Sequence, residues 1–432
     1  MKPYMMSLKE AAGAIQSGEL APRELTESLL ERISDTELNI NAWVTLDPEK
    51  ALRMAEKTEP KRSLSGIPVG VKDIYYTAGI RTTMGSLIFK EFIPDFDAWA
   101  VQKIKEEGAY VLGKTETTEF AVHDPAPTRN PWNTSHTPGG SSSGSAAAVA
   151  TGMCPVAFGT QTGGSVIRPA SYCGIVGVKP TYDLLSREGV YPLSWSLDHV
   201  GYMTRSVEDA HYMLGALTGT QKKWIKREKP PRIGLLGGYF KENASEEVWV
   251  SFEKAVAKLW GEGAEIINVQ LPKSFKHVPD VHRVIMSVET AAAHEDLFME
   301  KGDQYGDYIR GFIASGLLVP ATVYLRAQRL RTQIIEDITT VIRGFDYLIC
   351  PSTTDTAPKG LEWTGSPAFN TPWSLTGLPS ITIPMGLSDE KLPLGLQIIG
   401  LPYKEWELLD VAGWCEEKLG FGSKPKDPEV TH

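Results

Sequence analysis

The 432-residue sequence has few cysteines, no basic block and no long apolar run. Its four cysteines, Cys154, Cys173, Cys350 and Cys415, are scattered without CxxC spacing. Neither a zinc cluster nor a disulfide framework is expected from them, and they read as buried thiols. A membrane helix needs about 18 or more consecutive apolar residues. The richest stretch, 146–159, is interrupted by Thr151, Gly152 and Pro155. Residues 1–18 lack the basic start and apolar core of a signal peptide, so a cytoplasmic location is expected. Forty-four Lys and Arg against 53 Asp and Glu give a net charge of −9. Such a balance argues against nucleic acid or an anionic membrane as the main partner. No internal repeat or low-complexity segment is present.

The hydrophobic share of 42% and charged share of 22% are those of a folded chain. The 40 glycines and 29 prolines together exceed the usual proportion of about 12%. Short apolar runs alternate with helical patterns, which argues for a layered α/β sheet. Strands are expected at 69–73, 109–112, 155–159, 345–350, 380–384 and 393–399. Helices are expected at 98–107, 206–217, 246–260, 323–342 and 405–417. Residues 220–232, with Gln221 among them, read as a surface connection. No linker is long enough to part independent domains, so residues 1–432 read as one domain with a helical insertion at 225–340.

Two motifs match by letter but lack their structural setting. Residues 108–115 fit G-x4-G-K-T, yet a helix precedes them and their interior is strand-like. Its N–H groups would serve a sheet ladder rather than phosphates. Residues 140–144 fit G-x-S-x-G around Ser142, but Pro138-Gly139-Gly140 is a poor strand end for a nucleophile elbow. A third constellation is spread out. It comprises Lys72 in a Gly-flanked apolar strand, then Pro138-Gly-Gly-Ser141-Ser142-Ser143-Gly-Ser145, then Thr160-Gln-Thr-Gly-Gly-Ser165-Val-Ile-Arg168-Pro169. Apolar segments are interleaved with it, which a flexible linker would not carry.

With Cys173–Thr181, Ser196–Gly201, Leu375–Pro379 and Pro393–Gly400, these motifs resemble the amidase signature family, a family of Ser–cis-Ser–Lys hydrolases. The departures are Ser143, Gln161 and the position of Arg168, and the block around Ser165 is similar to the malonamidase branch. The resemblance implies an α/β/α sandwich around a large twisted mixed β-sheet. It implies Ser165 as nucleophile, Ser141 as the cis-peptide serine and Lys72 as base. The N–H groups of Thr162, Gly163, Gly164 and Ser165 would form the oxyanion hole, with Ser142 supporting the triad. Arg168, Gly139, Gly140 and His123 are candidate substrate contacts. Arg168 either grips a substrate carboxylate or holds the fold through backbone carbonyls. No metal or organic cofactor is implied.

The chemistry is coherent. A serine hydroxyl needs a positioned base, and neutral lysine can serve. Holding lysine neutral at pH 7 costs about 4.6 kcal/mol unless its surroundings lower its pKa. The expected activity is hydrolysis of a C–N bond in a small linear amide or carbamate through an acyl-enzyme. The expected partners are a small-molecule amide and water, without nucleic acid or membrane, and a homodimer is open. Two other readings stand beside it: an amidotransferase subunit supplying ammonia to a partner that acts on transfer RNA, and a non-catalytic relative.

Overall fold

The computed structural model describes residues 2–58, 61–220 and 222–426. The two ends of the expected 1–432 domain, and Gln221 in the expected connection, lie outside them. Among the described residues, one sheet contains β1 (Trp43–Leu46), β2 (Pro68–Lys72), β3 (Tyr110–Thr115), β4 (Val156–Gln161), β5 (Val176–Lys179), β6 (His199–Thr204), β7 (Arg232–Leu236), β8 (Glu265–Val269), β9 (Tyr347–Pro351), β10 (Ser380–Leu387) and β11 (Pro393–Ile399). Their order is β1-β3-β2-β4-β6-β5-β10-β11-β9-β7-β8. The sheet is mixed: β2 runs parallel to β3 and β4, whereas β4 is antiparallel to β6.

Both faces are covered, as the alternation of buried side chains shows. Val156 and Phe158 belong to one apolar cluster, and Ala157 between them belongs to another. Val200 and Tyr202 face the first cluster, and Met203 the second. Successive strand residues point to opposite faces, so helices pack on both sides of an α/β sheet, as the family resemblance implies. Every residue of β2, β4, β6 and β9 is buried, which matches near-continuous apolar runs.

The six expected strands occur as β2, β3, β4, β9, β10 and β11. The five expected helices occur as Trp99–Glu106, Val207–Thr218, Glu246–Gly261, Ala321–Ile342 and Glu405–Leu419. β8 gave no strand pattern because it is an edge strand with exposed Glu265 and Asn268. The stretch 225–340 carries β7 and β8 as well as the helices Val278–Lys301 and Asp307–Leu317. Among the described residues no single helix is long and apolar enough to cross a membrane.

Two features position the site. In β2 and β4, Gly70 pairs with Ala157 and Val71 with Phe158. Lys72 and Thr160 therefore emerge side by side at the same end of the sheet. The helix Ser143–Thr151 packs on β2 and β4 and is built of small residues. Its Gly144 approaches other backbone so closely that a Cβ would lie 2.2 Å from the Ala42 carbonyl oxygen. The turn before this helix brings Ser141 against Lys72.

Candidate active site

Lys72 is fully buried at the end of β2. Its Nζ lies 2.7 Å from Ser141 Oγ and donates to Thr160 Oγ1 at 2.8 Å. Among the described residues it makes no ion pair. Burial holds Lys72 well below its ordinary value, opposed by the negative charge of Asp198. A buried amine in contact with hydroxyls but no carboxylate has no counter-charge beside it to offset the lost hydration, so its neutral form is favoured.

Ser141 follows a cis peptide bond from Gly140. The turn is fastened at both preceding carbonyls. Ser143 Oγ donates to the Gly139 oxygen at 2.7 Å, and Arg168 Nη2 donates to the Gly140 oxygen at 2.7 Å. Gly139 adopts φ +82°, a conformation that favours glycine. Ser142 turns away from Lys72 and bridges to the backbone of Thr160, whose N–H reaches its Oγ at 3.3 Å. This contact joins the serine turn to β4.

Beyond β4 the chain makes a second turn, Thr162–Ser165, and enters the helix Ile167–Cys173. Ser165 is 8% exposed and borders a cavity of about 340 Å3. Among the described residues, the N–H groups of Gly163, Gly164 and Ser165 donate to no protein acceptor. Thr162 Oγ1 donates to Asp198 at 2.5 Å. Burial pushes Asp198 up to about 6, opposed by hydrogen bonds from Thr162, Leu193 and Ser194. Gln161, where a carboxylate is usual in the resemblance, accepts the N–H groups of Val166 and Ile167, each at 3.0 Å. The amide thus caps the short helix without adding a charge near Lys72.

Thr162, Gly163, Gly164, Ser165, Arg168 and His123 come together on the cavity wall. Gly139 and Gly140 do not border it. Arg168 is buried and engages protein oxygens: Nη1 donates to the Gly365 carbonyl at 2.6 Å, and Nη2 also reaches Thr364 Oγ1 at 3.1 Å. His123 is held neutral by burial and by the Arg168 charge, with its pKa lowered to about 4. Its Nδ1 is buried and has no protein partner. The rest of the wall was not legible in the sequence: Leu193, Tyr239, His282, Met286, Phe312 and Thr371 reach it from distant segments. Thr160 was visible in the motif, but its contact with Lys72 depends on the parallel pairing of β2 with β4.

The other motif matches are resolved by position. Residues 110–115 of the G-x4-G-K-T match form β3, hydrogen-bonded between β1 and β2. Lys114 Nζ lies 3.3 Å from Asp73 Oδ1, with both side chains buried. The four cysteines are free and buried.

The family model Amidase matches residues 24–409. The chain belongs to the amidase family, and as such is an amidase-type hydrolase. It is 34% identical to the glutamyl-tRNA(Gln) amidotransferase A-subunit of Halothermothrix orenii, covering 98% of this chain and 99% of that protein. Among solved structures, the crystal structure of an amidase superposes with TM-score 0.88 at 31% identity, over 96% of this chain and 100% of that one. A 6-aminohexanoate cyclic dimer hydrolase complexed with substrate gives 0.86 at 25% identity, over 99% of each chain. The expected partners, a small amide and water without nucleic acid, need correction. Relatives matched over nearly their full length carry the name of one chain of a glutamyl-tRNA(Gln) amidotransferase. The physical reason is that a net charge of −9 bears only on direct electrostatic attraction to this chain. It carries no information about an assembly in which another chain meets the nucleic acid.

Proposed function

We propose that this chain hydrolyses a carboxamide C–N bond through an acyl-enzyme on Ser165, with Lys72 as base and Ser141 as relay. The observation that carries this is a fully buried lysine whose Nζ contacts are two hydroxyls and no carboxylate. A neutral amine has two N–H groups and one lone pair. With one N–H on Thr160, the lone pair takes the Ser141 hydroxyl proton while Ser141 Oγ takes that of Ser165. Ser165 Oγ attacks the carbonyl carbon, and the free N–H groups of residues 163–165 stabilise the oxyanion. The proton returns through Ser141 to the leaving nitrogen, the C–N bond breaks, and water repeats the route to release the acid. Ser142 holds the relay turn on β4. Arg168 holds the Gly140 and Gly365 carbonyls rather than a substrate carboxylate, and His123 offers a neutral polar contact. The four free thiols support a reducing, cytoplasmic setting.

For the amide donor, the relatives support glutamine: in this reading the chain is the ammonia-releasing component of an amidotransferase acting on transfer RNA, working beside a partner chain. A second reading, free-standing hydrolysis of linear amides with an apolar acyl chain, is favoured by the cavity. Leu193, Met286, Phe312 and Pro367 line it, and among the described residues no Asp or Glu does. The α-ammonium of glutamine would meet no carboxylate there. The test measures ammonia release from glutamine and from hexanamide, with and without an added partner chain. Glutamine turnover that requires the partner supports the first reading. Hexanamide turnover by the chain alone, with glutamine inert under both conditions, supports the second. A protein in which a fluorophosphonate probe fails to label Ser165 contradicts both.

A further inference from the structure

The N–H groups of residues 163–165 point into the cavity only if the carbonyls of the same turn are held outward. The carbonyls of Thr162, Gly163 and Gly164 each have their own partner. His282 Nε2 donates to the Thr162 oxygen at 2.9 Å. Ser374 Oγ donates to the Gly163 oxygen at 2.8 Å. The Arg168 N–H donates to the Gly164 oxygen at 2.9 Å. The third is an ordinary helix bond, but the first two come from remote elements. His282 lies on Val278–Lys301, and Ser374 on the helix Thr371–Thr376. Ser374 is itself fixed by Gln161 Nε2 at 3.1 Å, and the Gln161 side-chain oxygen caps the following helix. A carbonyl can only accept, so His282 carries its proton on Nε2.

We propose that His282 and Ser374 are positioning residues that clamp the Thr162 and Gly163 carbonyls and so aim the oxyanion donors. This rests on the proposed role of Ser165 and extends it to two residues outside the family motifs described above. A peptide unit is planar, so fixing its carbonyl fixes the direction of the N–H that follows. The Thr162 carbonyl sets the Gly163 N–H, and the Gly163 carbonyl sets the Gly164 N–H. Glycines at 163 and 164 leave the turn free to rotate, which is why external anchors are needed. Burial holds His282 near a pKa of about 4, so it acts as a neutral donor.

The test compares side chains of equal shape. Ser374→Thr keeps the hydroxyl and Ser374→Val removes it; His282→Gln keeps an N–H donor and His282→Leu removes it. With p-nitrophenyl butyrate as acyl donor, the Val and Leu variants should lose about 10- to 100-fold in kcat, below the full loss of one oxyanion donor. KM should stay within about twofold, and the Thr and Gln variants should retain most of the activity. Affinity for phenylboronic acid, which forms a tetrahedral anion on a serine, should fall in step with kcat. Equal kcat in the Thr and Val variants, or a change confined to KM, overturns the clamp. Fluorophosphonate labelling separates the two claims. Wild-type protein without label on Ser165 overturns the proposed reaction, whereas intact labelling with indistinguishable Thr and Val variants overturns the clamp alone.

Discussion

Lys72 and Lys114 sit on neighbouring strands, one register step apart, and both are fully buried. Their surroundings differ in charge. Lys114 faces the Asp73 carboxylate and donates to the Tyr75 carbonyl and Thr82 Oγ1, each at 2.6 Å. Lys72 faces hydroxyls only. Burial lowers both; the Asp73 charge opposes it at Lys114, which is held at about 8, while Lys72, with no carboxylate in contact, is held well below its ordinary value. Asp73 adjoins Lys72 in sequence and turns away from it, its Oδ2 accepting the Thr83 N–H at 2.8 Å. In the proposed reaction, equal burial yields a structural cation in one strand and the base in the next, and the placement of one carboxylate separates them.

Breaking the comparison at the base has the largest expected effect. Ser165→Ala and Lys72→Met should each lower kcat/KM by about 10^4-fold or more, as removal of a nucleophile or its base does elsewhere. Because Lys72 is neutral in this account, the Met variant should unfold in urea at nearly the wild-type midpoint. Lys114→Met should do the reverse. It leaves Asp73 buried without its cation, which costs about 3–5 kcal/mol in urea unfolding, with the activity per folded molecule largely kept. A Lys114 variant of normal stability and no activity would invert the assignment.

Arg168→Ala should lie below these. It leaves the Gly140 and Gly365 carbonyls without their donor, at roughly 1–3 kcal/mol for each unpaired group. The KM ratio between an acidic and a neutral amide should not change, whereas a selective rise in KM for the acidic amide would return Arg168 to substrate binding. The smallest effect is on pH dependence. Only the neutral amine accepts a proton, so kcat/KM should rise with pH through the Lys72 titration. The Asp198 charge favours the protonated amine, so Asp198→Asn should move that acid limb to lower pH. A limb that moves upward would contradict the sign.

The parts of the site that lie within one motif were legible in the sequence. The resemblance to the amidase signature picked out Lys72, Ser141 and Ser165, and the fold brings Lys72 and Ser141 into contact; the strands beside them are continuous enough to be read. What was not legible depends on contacts between segments far apart in the chain. His282 and Ser374 act on backbone carbonyls, and a carbonyl leaves no trace in side-chain patterning. The hydroxyl of Thr160 was visible, but only the parallel pairing of β2 with β4 places it on Lys72. The charge partner of Lys114 required the neighbouring strand, and the net charge of the chain was silent about partners reached through another protein.

The central claim is the difference in charge between the two lysines. It is tested most directly by titrating both by NMR in protein carrying 13C at lysine Cε and 15N at Nζ, with Lys72→Met and Lys114→Met used to assign the two signals. At pH 7 Lys72 should be neutral, while Lys114 should be mostly charged and titrate near 8. A Lys72 signal that is charged at pH 7 and titrates above that of Lys114 would contradict it.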